Sequence, residues 1–379
     1  MKWPWSKAER RDADPSWAAL VNGGMVSTSG QFVSERVAES LTAVFSAVQA
    51  LSESVSTLPL HCYARLPDGQ RERADDIALA RVLRQPNEWQ TGVQFREGLT
   101  AAVLLSGNGY ARIDRDASGE VTALHPLPTR EVSVIRLPSG RWVYEFNGQR
   151  LLAEEVFHLA DRTEPGQIVG RSRIAIAREQ IGLALALREH GSRTFSNSAR
   201  LSGVLQTSGI LTAEQVTRLG ESWRSQYSGV DNAGRTAVLE GGLSFTPLSM
   251  NLEDAQWLQA QQFGVVEVAR LFRVPPTMLQ DLSHASYSNT AELGSQFVRY
   301  SLQRWLTMWE AEITRQLLGP IARGRYHAEH AVEGLLRGNP EGRADFYTKA
   351  IASGWMTVDE VRALENLPKR GPDNAAEQT

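Results

Sequence analysis

The chain has 379 residues, of which 42% are hydrophobic and 22% charged, and its formal net charge is −3. This length is too great for one ordinary core, so the sequence predicts two or three substructures with the composition of a globular protein. The balance of 40 basic against 43 acidic residues excludes a chain-wide basic surface for nucleic acid.

The cysteine content and the N-terminal sequence narrow the class of protein further. Cys62 is the only cysteine, which excludes an intrachain disulfide and predicts a small buried thiol. No window of about 18 apolar residues occurs, and charged residues follow the N-terminus closely. The sequence therefore predicts neither a signal peptide nor a membrane-spanning helix.

The N-terminal part predicts an arm followed by two helices. Residues 1–34 are polar and rich in Gly and Ser without an apolar period, as is typical of a flexible arm. Apolar residues spaced by four and three from Val37 to Leu58 predict one helix with a continuous buried seam. The capping box of Thr91 and Gln94 begins a second helix, which Gly107 ends.

Between residues 109 and 160 the apolar period shifts towards two. Short strands are predicted at 110–114, 121–124, 132–137, 142–146 and 156–159. Gly140 and the pair Asn147-Gly148 are hairpin signals. We expect one mostly antiparallel sheet covered by the preceding helices.

A third helix is predicted from Ser172 to Phe195, and an insert of different character follows it. Strands at 203–207, 236–239 and 245–248 surround a helix that the capping box of Thr212 and Gln215 begins. The insert is expected to form a small α/β unit.

Two long helices around a polar loop come next. The first has its apolar face at Leu258, Val265, Ala269 and Phe272, and Pro275 ends it. The second is capped by Asn289 and stops at Gly319-Pro320. This arrangement indicates a mechanical part rather than a binding pocket. A strand-like segment, helices at 340–352 and after Thr357, and a disordered tail complete the chain.

No pattern for catalysis or metal binding is convincing. The segment Gly166 to Ser172 resembles a phosphate-binding loop, but its glycines are one residue too close and Arg171 replaces the required lysine, so we expect a loop entering a helix. His327 and His330 lack metal-site spacing, and a solvated polar face is the favoured interpretation. We expect no catalytic residue, no metal and no cofactor.

Several short motifs follow one another along the chain: Val44-Phe45-Ser46-Ala47-Val48, Gly107-Asn108-Gly109-Tyr110, Glu154-Glu155-Val156-Phe157-His158, Phe195-Ser196-Asn197-Ser198, Phe272-Arg273-Val274-Pro275-Pro276 and Tyr287-Ser288-Asn289. Their order resembles that in the portal proteins of tailed bacteriophages, specifically the HK97-type family. The match spans residues 35–368. Each motif alone is weak, but the ordered set is specific.

The resemblance implies an α+β portal fold. Its parts would be a flexible N-terminal arm at 1–34, an α/β wing at 35–171, stem helices at 172–197 and 251–272, a clip at 198–250, a tunnel loop at 273–289, a wing return helix at 290–326, a short helical crown at 327–368 and a disordered tail at 369–379.

The resemblance also implies a structural role and no enzymatic activity, since the packaging ATPase belongs to the terminase. The chain would form a homo-oligomeric ring, dodecameric in the family's usual form, at the capsid portal vertex of the virion, after assembly in the host cytoplasm. Double-stranded DNA would pass through it without sequence-specific binding. Its partners would be the terminase large subunit, a head-completion or adaptor protein, and the major capsid protein with its scaffold.

Two groups of site residues follow from the resemblance. The tunnel-loop residues expected to face DNA are Asp281, Ser283, His284, Ser286, Tyr287 and Asn289. The clip residues expected to dock partners are Arg218, Trp223, Arg224, Asp231 and Arg235. Residues 277–289 contain no Lys or Arg, which suits DNA that must slide, because many phosphate contacts would hold it.

Alternatives remain open at this point. The clip arginines could contact nucleic acid directly, although Glu214 and Glu221 on the same predicted helix favour a solvated face. The chain could be an adaptor or scaffold of a domesticated phage-like or gene-transfer particle. A DNA-processing enzyme is a weaker alternative, because it needs phosphate or metal ligands that the sequence lacks.

Overall fold

The computed structural model describes residues 24–196, 203–207, 212–227, 244–247, 252–281, 290–332, 340–365 and 367–368. The chain divides into a larger unit, residues 1–183 with 264–379, and a smaller unit, residues 184–263. No helix among the described residues is long and apolar enough to cross a membrane.

The larger unit up to residue 183 mixes helices and strands. Its helices are α1 Glu35–Glu39, α2 Thr42–Thr57, α3 Ala78–Arg84, α4 Gly92–Ser106 and α5 Arg173–Ile176. Its strands are β1 Met25–Val26, β2 Phe32–Val33, β3 Leu60–Arg65, β4 Arg71–Arg73, β5 Asn108–Arg115, β6 Val121–Leu127, β7 Val132–Arg136, β8 Trp142–Phe146, β9 Gln149–Leu152 and β10 Val156–Ala160.

Two helices run from one unit into the other, and the insert lies between them in the chain. These elements are α6 Arg178–Ser196, β11 Gly203–Gln206, α7 Ala213–Tyr227, β12 Ser244–Pro247 and α8 Leu252–Phe272. The larger unit then continues with α9 Thr290–Phe297, α10 Gln303–Glu312, α11 Ala322–Arg325, β13 Tyr326–His330, α12 Pro340–Ala352 and α13 Val358–Leu364.

The end of the predicted N-terminal arm is structured. Strands β1 and β2 pair as an antiparallel hairpin. The Thr28 backbone amide and hydroxyl donate to the Glu179 carboxylate at 2.8 and 2.6 Å. Gly182 lies so close that a Cβ there would be 2.2 Å from Ser27 Oγ. The sequence predicts a flexible arm to residue 34, and this is wrong for residues 25–33, because contacts distant in sequence anchor the hairpin.

The first predicted helix is divided in two. Leu41, with ψ of 123°, leaves helical geometry between α1 and α2, and the Ser40 hydroxyl donates to the Val37 carbonyl at 2.6 Å. A side chain that bonds its own preceding turn competes with helix continuation. The predicted seam is nevertheless confirmed, since its members in α2 are buried: Val44, Val48, Leu51 and Val55.

The strands between 108 and 160 form two sheets, not the one that the sequence predicts. One has the order β10-β5-β6 and the other β7-β8-β9, and all pairs are antiparallel. Short 3-10 turns at Thr129–Glu131 and Ala153–Glu155 lead the chain out of the first sheet and back. The Asn147-Gly148 hairpin is confirmed by φ of 50° and 74°.

A third sheet of the larger unit joins distant parts of the chain. Its order is β13-β3-β4, so residues that the resemblance assigns to the crown pair with a wing strand. His330 is 4% exposed and its backbone amide donates to Glu310 at 2.9 Å. The interpretation of this histidine as part of a solvated face is therefore wrong. Cys62 is buried as expected, and burial raises the pKa of its thiol to about 12.

The helix predicted after the polar loop is confirmed, with an addition. Between α9 and α10 the segment Val298–Leu302 is a π-helical turn, and Ile313–Leu317 after α10 is another. Such turns are rare and occur often at functional sites. Trp305 and Trp309 on α10 are almost fully buried and fix this helix in the core.

Candidate functional sites: the loop frame and the inserted unit

Only some of the predicted site residues lie among the residues that the structure describes. Of the tunnel-loop residues, only Asp281 lies among the described residues, and Ser283, His284, Ser286, Tyr287 and Asn289 lie outside them. What the structure gives is the frame of this loop, namely residues 273–281 before it and the helix that begins at Thr290 after it.

The leading side of the frame is fixed by local hydrogen bonds. Arg273 has a positive φ of 57° and turns the chain away from α8. The Ser301 hydroxyl donates to the Arg273 carbonyl at 2.5 Å, and the Val274 amide donates to the Ala269 carbonyl at 2.9 Å. A 3-10 turn, Pro276–Leu279, follows and contacts α2. The chain therefore leaves α8 along a defined path.

A buried ion cluster of Asp161, Arg173 and Arg304 lies next to this frame. Asp161 is fully buried directly after β10 and accepts from Arg173 Nε at 2.8 Å. Arg304 of α10 approaches its other oxygen at 2.6 Å. Arg173 also donates to the Leu271 carbonyl at the end of α8, at 2.8 Å. One carboxylate thus ties together β10, α5 and α10, and through Arg173 the end of α8.

Burial and the aromatic ring nearby strengthen this cluster. Desolvation lowers the pKa of Arg173, while the Asp161 charge opposes that shift. The Trp305 ring lies 5.3 Å from the Arg173 guanidinium and 5.5 Å from that of Arg304. A buried charge needs such a partner, because its desolvation is otherwise costly. Sequence reasoning missed the cluster, since its members are too far apart in sequence for any spacing rule.

A second buried network crosses the larger unit. Asn108 donates to the Gly170 carbonyl at 3.0 Å and accepts from the Gly170 amide at 2.6 Å, which fixes the orientation of its amide. Its oxygen also lies 3.1 Å from His158 Nε2, so that nitrogen must donate. Nδ1 of His158 then accepts from the Tyr144 hydroxyl at 3.0 Å. Burial lowers the pKa of His158 to about 3, in keeping with a neutral ring.

The segment that resembles a phosphate-binding loop uses its amides internally. Gly170 donates to Asn108, and Arg171 donates to the Asp161 carbonyl at 2.8 Å. Ser172 caps α5 by accepting from the Ala175 amide at 3.1 Å. The prediction of a loop entering a helix is confirmed, and these amides are already engaged.

In the smaller unit, the insert has a defined strand pair and helix start. Strands β11 and β12 pair antiparallel, with Gly203 opposite Pro247. The capping box is confirmed, since the Gln215 amide donates to Thr212 Oγ1 at 3.4 Å and the Thr212 amide to Gln215 Oε1 at 2.9 Å. The strand predicted at 236–239 lies outside the described residues.

Only some of the predicted clip residues lie among the described residues. Arg218 is exposed on α7, as are Glu214 and Glu221, in agreement with a solvated face. Trp223 and Arg224 lie on the same helix. Asp231 and Arg235 are outside the described residues.

The two long helices of the smaller unit pack against each other. Trp257 Nε1 of α8 donates to the Leu187 carbonyl of α6 at 3.2 Å. A Cβ at Gly191 would lie 2.6 Å from the Trp257 ring, so glycine is needed for this approach. These are the helices that the resemblance assigns to the stem.

Comparison with known proteins agrees with this architecture. Residues 42–366 match the family described as phage portal protein. The chain is 33% identical over 388 residues to the probable portal protein of Streptomyces phage phiC31, which covers 98% of this chain and 84% of the relative. It is 32% identical over 343 residues to the portal protein of Enterobacteria phage HK97, covering 88% and 80%.

Solved structures share the fold. A chain from the virion of a native gene transfer agent particle superposes with a TM-score of 0.65 at 24% identity, covering 88% of this chain and 92% of that chain. The crystal structure of an HK97 family phage portal protein from Corynebacterium diphtheriae gives 0.53 at 20% identity, covering 80% and 96%. The α+β portal fold is thereby confirmed. With the family match spanning most of its length, the chain belongs to the phage portal protein family, whose members are structural proteins and not enzymes.

Proposed function

We propose that this chain assembles into a ring of twelve subunits at one vertex of a capsid, and that double-stranded DNA enters and leaves the capsid through the ring. The observation that carries the proposal is the identity of about one third to two phage portal proteins along most of each chain. A solved neck that is similar in fold, at 24% identity and a TM-score of 0.63, was computed with C12 symmetry.

The loop frame supports a role as a conduit. The leading segment from Arg273 to Asp281 is held by hydrogen bonds and by contact with α2, and a long helix anchored by buried tryptophans follows the loop. The loop between these supports has no Lys or Arg. Twelve such loops would touch DNA through polar groups that bind phosphates weakly, so that DNA slides.

The proposed parts of the subunit follow the resemblance with two adjustments. The wing comprises residues 35–171 and 290–326 together with the strand Tyr326–His330, because that strand pairs with β3. The hairpin at 25–33 stays with the larger unit through Glu179. The stem is formed by α5, α6 and α8, the clip by 198–250, and the crown by the helices after residue 332.

The proposed partners are those of a packaging vertex. The clip would dock the terminase large subunit during packaging and a head-completion protein afterwards, and the wing would meet the major capsid protein and its scaffold. The ring would assemble in the host cytoplasm and remain in the virion. The exposed charged face of α7 supports such docking, because rim charges speed and orient association.

The mass of the assembled protein tests this proposal. We expect native mass spectrometry of the purified full chain to show a species of twelve subunits, and electron microscopy to show rings with a central channel. A protein that stays monomeric at high concentration, across low and high salt, would contradict the proposal.

The same role in a gene-transfer particle is the second candidate. It would use the same ring and channel, and the fold similarity to a chain of such a particle is compatible with it. Sequencing the nuclease-protected DNA of purified particles separates the two: a single viral genome supports a phage, and random host fragments support a gene-transfer particle.

A further inference from the structure

A cationic groove lies in the larger unit beside the buried Asp161 cluster. It has a volume of about 700 Å³, and one wall is the helix from the first π turn through α10. The opposite wall is formed by residues that follow β10 and α8. Four arginines line it: Arg162, Arg273, Arg299 and Arg304.

The positive charge of this groove is not balanced within the described chain. Arg304 pairs with Asp161, but that single carboxylate is shared with Arg173. Arg162, Arg273 and Arg299 have no carboxylate within ion-pair distance among the described residues. Glu164, the acid nearest to Arg162 in sequence, pairs with Arg171 at 3.6 Å instead. The groove therefore attracts an anionic partner.

Uncommon backbone conformations place three of these cations. Arg162 and Arg273 have φ of 52° and 57°, in the left-handed region that non-glycine residues seldom adopt. Arg299 lies within the π turn Val298–Leu302. Strained residues and π turns concentrate at functional sites. Two strained residues and one π turn converge on the same surface, which an arbitrary solvated patch would not require.

The distribution of charge along the groove indicates the kind of partner. Arg299, Gln303, Thr307 and Ala311 follow one another at intervals of four along the helical wall. Along this wall the cations Arg299 and Arg304 come first, and the uncharged residues Thr307, Met308 and Ala311 follow them. A DNA duplex carries phosphates along its whole length and would gain little from the neutral end. A protein segment with acidic residues at one end and apolar residues at the other matches both ends.

We propose that this groove receives an acidic segment of a neighbouring copy of the same chain, and that the contact closes the ring. This rests on the ring of the proposed function. In a cyclic ring one surface of each subunit must complement a different surface of the next. The chain carries suitable acids: Glu154 and Glu155 are exposed beside Leu152, and neither has an ion pair among the described residues.

Photo-crosslinking tests the partner directly. A photoreactive residue replaces Gln303 in the full chain, and labelled and unlabelled chains are assembled together. We expect crosslinks between differently labelled copies, which mass spectrometry maps to a peptide that contains Asp or Glu. Crosslinks to DNA, to the same copy only, or to a neighbouring peptide without an acid would overturn the proposal.

Charge reversal tests the energetic role. The double variant Arg162→Glu with Arg299→Glu should fold, since neither side chain is ion-paired, and should require about tenfold more subunit to form rings. The matched control is Arg141→Glu, an exposed arginine of the β7–β8 turn outside the groove, which should assemble like the wild type. Equal assembly of the double variant and the control would overturn the inference. Loss of DNA binding with intact rings would also overturn it. If the wild type itself forms no ring, the proposed function fails instead.

Discussion

Asp161, fully buried, accepts a hydrogen bond from Arg173 Nε at 2.8 Å and holds a second guanidinium, that of Arg304, at 2.6 Å. The ion pair of Asp161 with Arg173 connects the end of β10 to the start of α5. Helix α6, which leads into the insert, follows α5 in the chain. Because Arg173 also reaches the end of α8, the cluster sets where the chain turns towards the loop.

Replacing Asp161 by Asn should destabilise the larger unit strongly. The change removes the only described carboxylate between two guanidiniums, and breaking a buried pair in this way costs about 3–5 kcal/mol. Chemical denaturation of the variant checks the magnitude. Glu164→Gln is the control, because it breaks the exposed pair with Arg171, which contributes at most about 1 kcal/mol. Similar losses in both variants would contradict the assigned role.

Gly107→Ala should cost more stability than Gly119→Ala. Both glycines have positive φ, 84° and 83°, so the backbone penalty of about 1–2 kcal/mol is shared. A Cβ at Gly107 would lie 2.5 Å from the Arg171 carbonyl carbon, whereas nothing is within 4 Å at Gly119. We expect a further loss of about 1–3 kcal/mol at Gly107 from this overlap. Thermal unfolding of the two variants measures the difference, and equal melting temperatures would refute it.

The stability of the protein should fall as the pH drops below about 6.5, in part because of His158. Burial lowers its folded-state pKa to about 3, while an unfolded histidine titrates near 6.5. Between these values the unfolded chain binds a proton that the folded chain does not. The unfolding free energy should therefore decrease by up to about 1.4 kcal/mol per pH unit across this window.

The variant His158→Gln isolates that contribution. Its unfolding free energy, measured from pH 7.5 to 4.5, should show a shallower slope than the wild type. A slope unchanged by His158→Gln would exclude the buried ring as the source.

Tyr287→Ala should leave ring assembly intact and impair packaging or genome retention. Tyr287 belongs to the predicted DNA-facing loop, outside the described residues, so its truncation should not disturb the frame around Arg273 and Ser301. Counting filled particles and measuring their stability on heating checks this. Yields of stable filled particles equal to the wild type would remove the loop assignment.

Charge reversal at Arg218 and Arg224 should weaken docking of the terminase or the head-completion protein. Arg218 is exposed on α7, and a reversed charge at a docking rim slows association and adds repulsion. Binding of each partner to purified rings, measured at low and high salt, tests this. Glu221→Gln on the same helix is the control for helix stability. Unchanged affinity for both partners would exclude α7 as the docking surface.

The parts of the fold that sequence predicted well are governed by neighbours in the chain. The capping boxes at Thr91, Thr212 and Thr357 are all present, because their partners lie three residues away. Strands β7 and β8 were predicted for the same reason, since a short turn joins them. Strand β9 was not predicted, because its sequence Gln-Arg-Leu-Leu lacks the alternation of a half-buried strand.

The parts that sequence missed depend on contacts between distant residues. The pairing of β13 with β3 buries His330, although its segment reads as polar. The ion pair of Asp161 with Arg304 joins residues that are far apart in the sequence, so no periodic pattern predicts it. Of the candidate sites, the resemblance supplied the loop and clip residues, while the groove of four arginines emerges only when β10, α8 and α10 are brought together.

The two π turns that bracket α10 have an evolutionary consequence. A π turn closes a hydrogen bond over five residues, as the Gln303 amide does with the Val298 carbonyl, and so accommodates one residue more than an α turn. Losing one residue from Val298–Leu302 could be absorbed by reverting to α geometry, without rotating Trp305 and Trp309 out of the core. Relatives one residue shorter at this place should therefore keep both indoles buried, and their structures can be compared to find out.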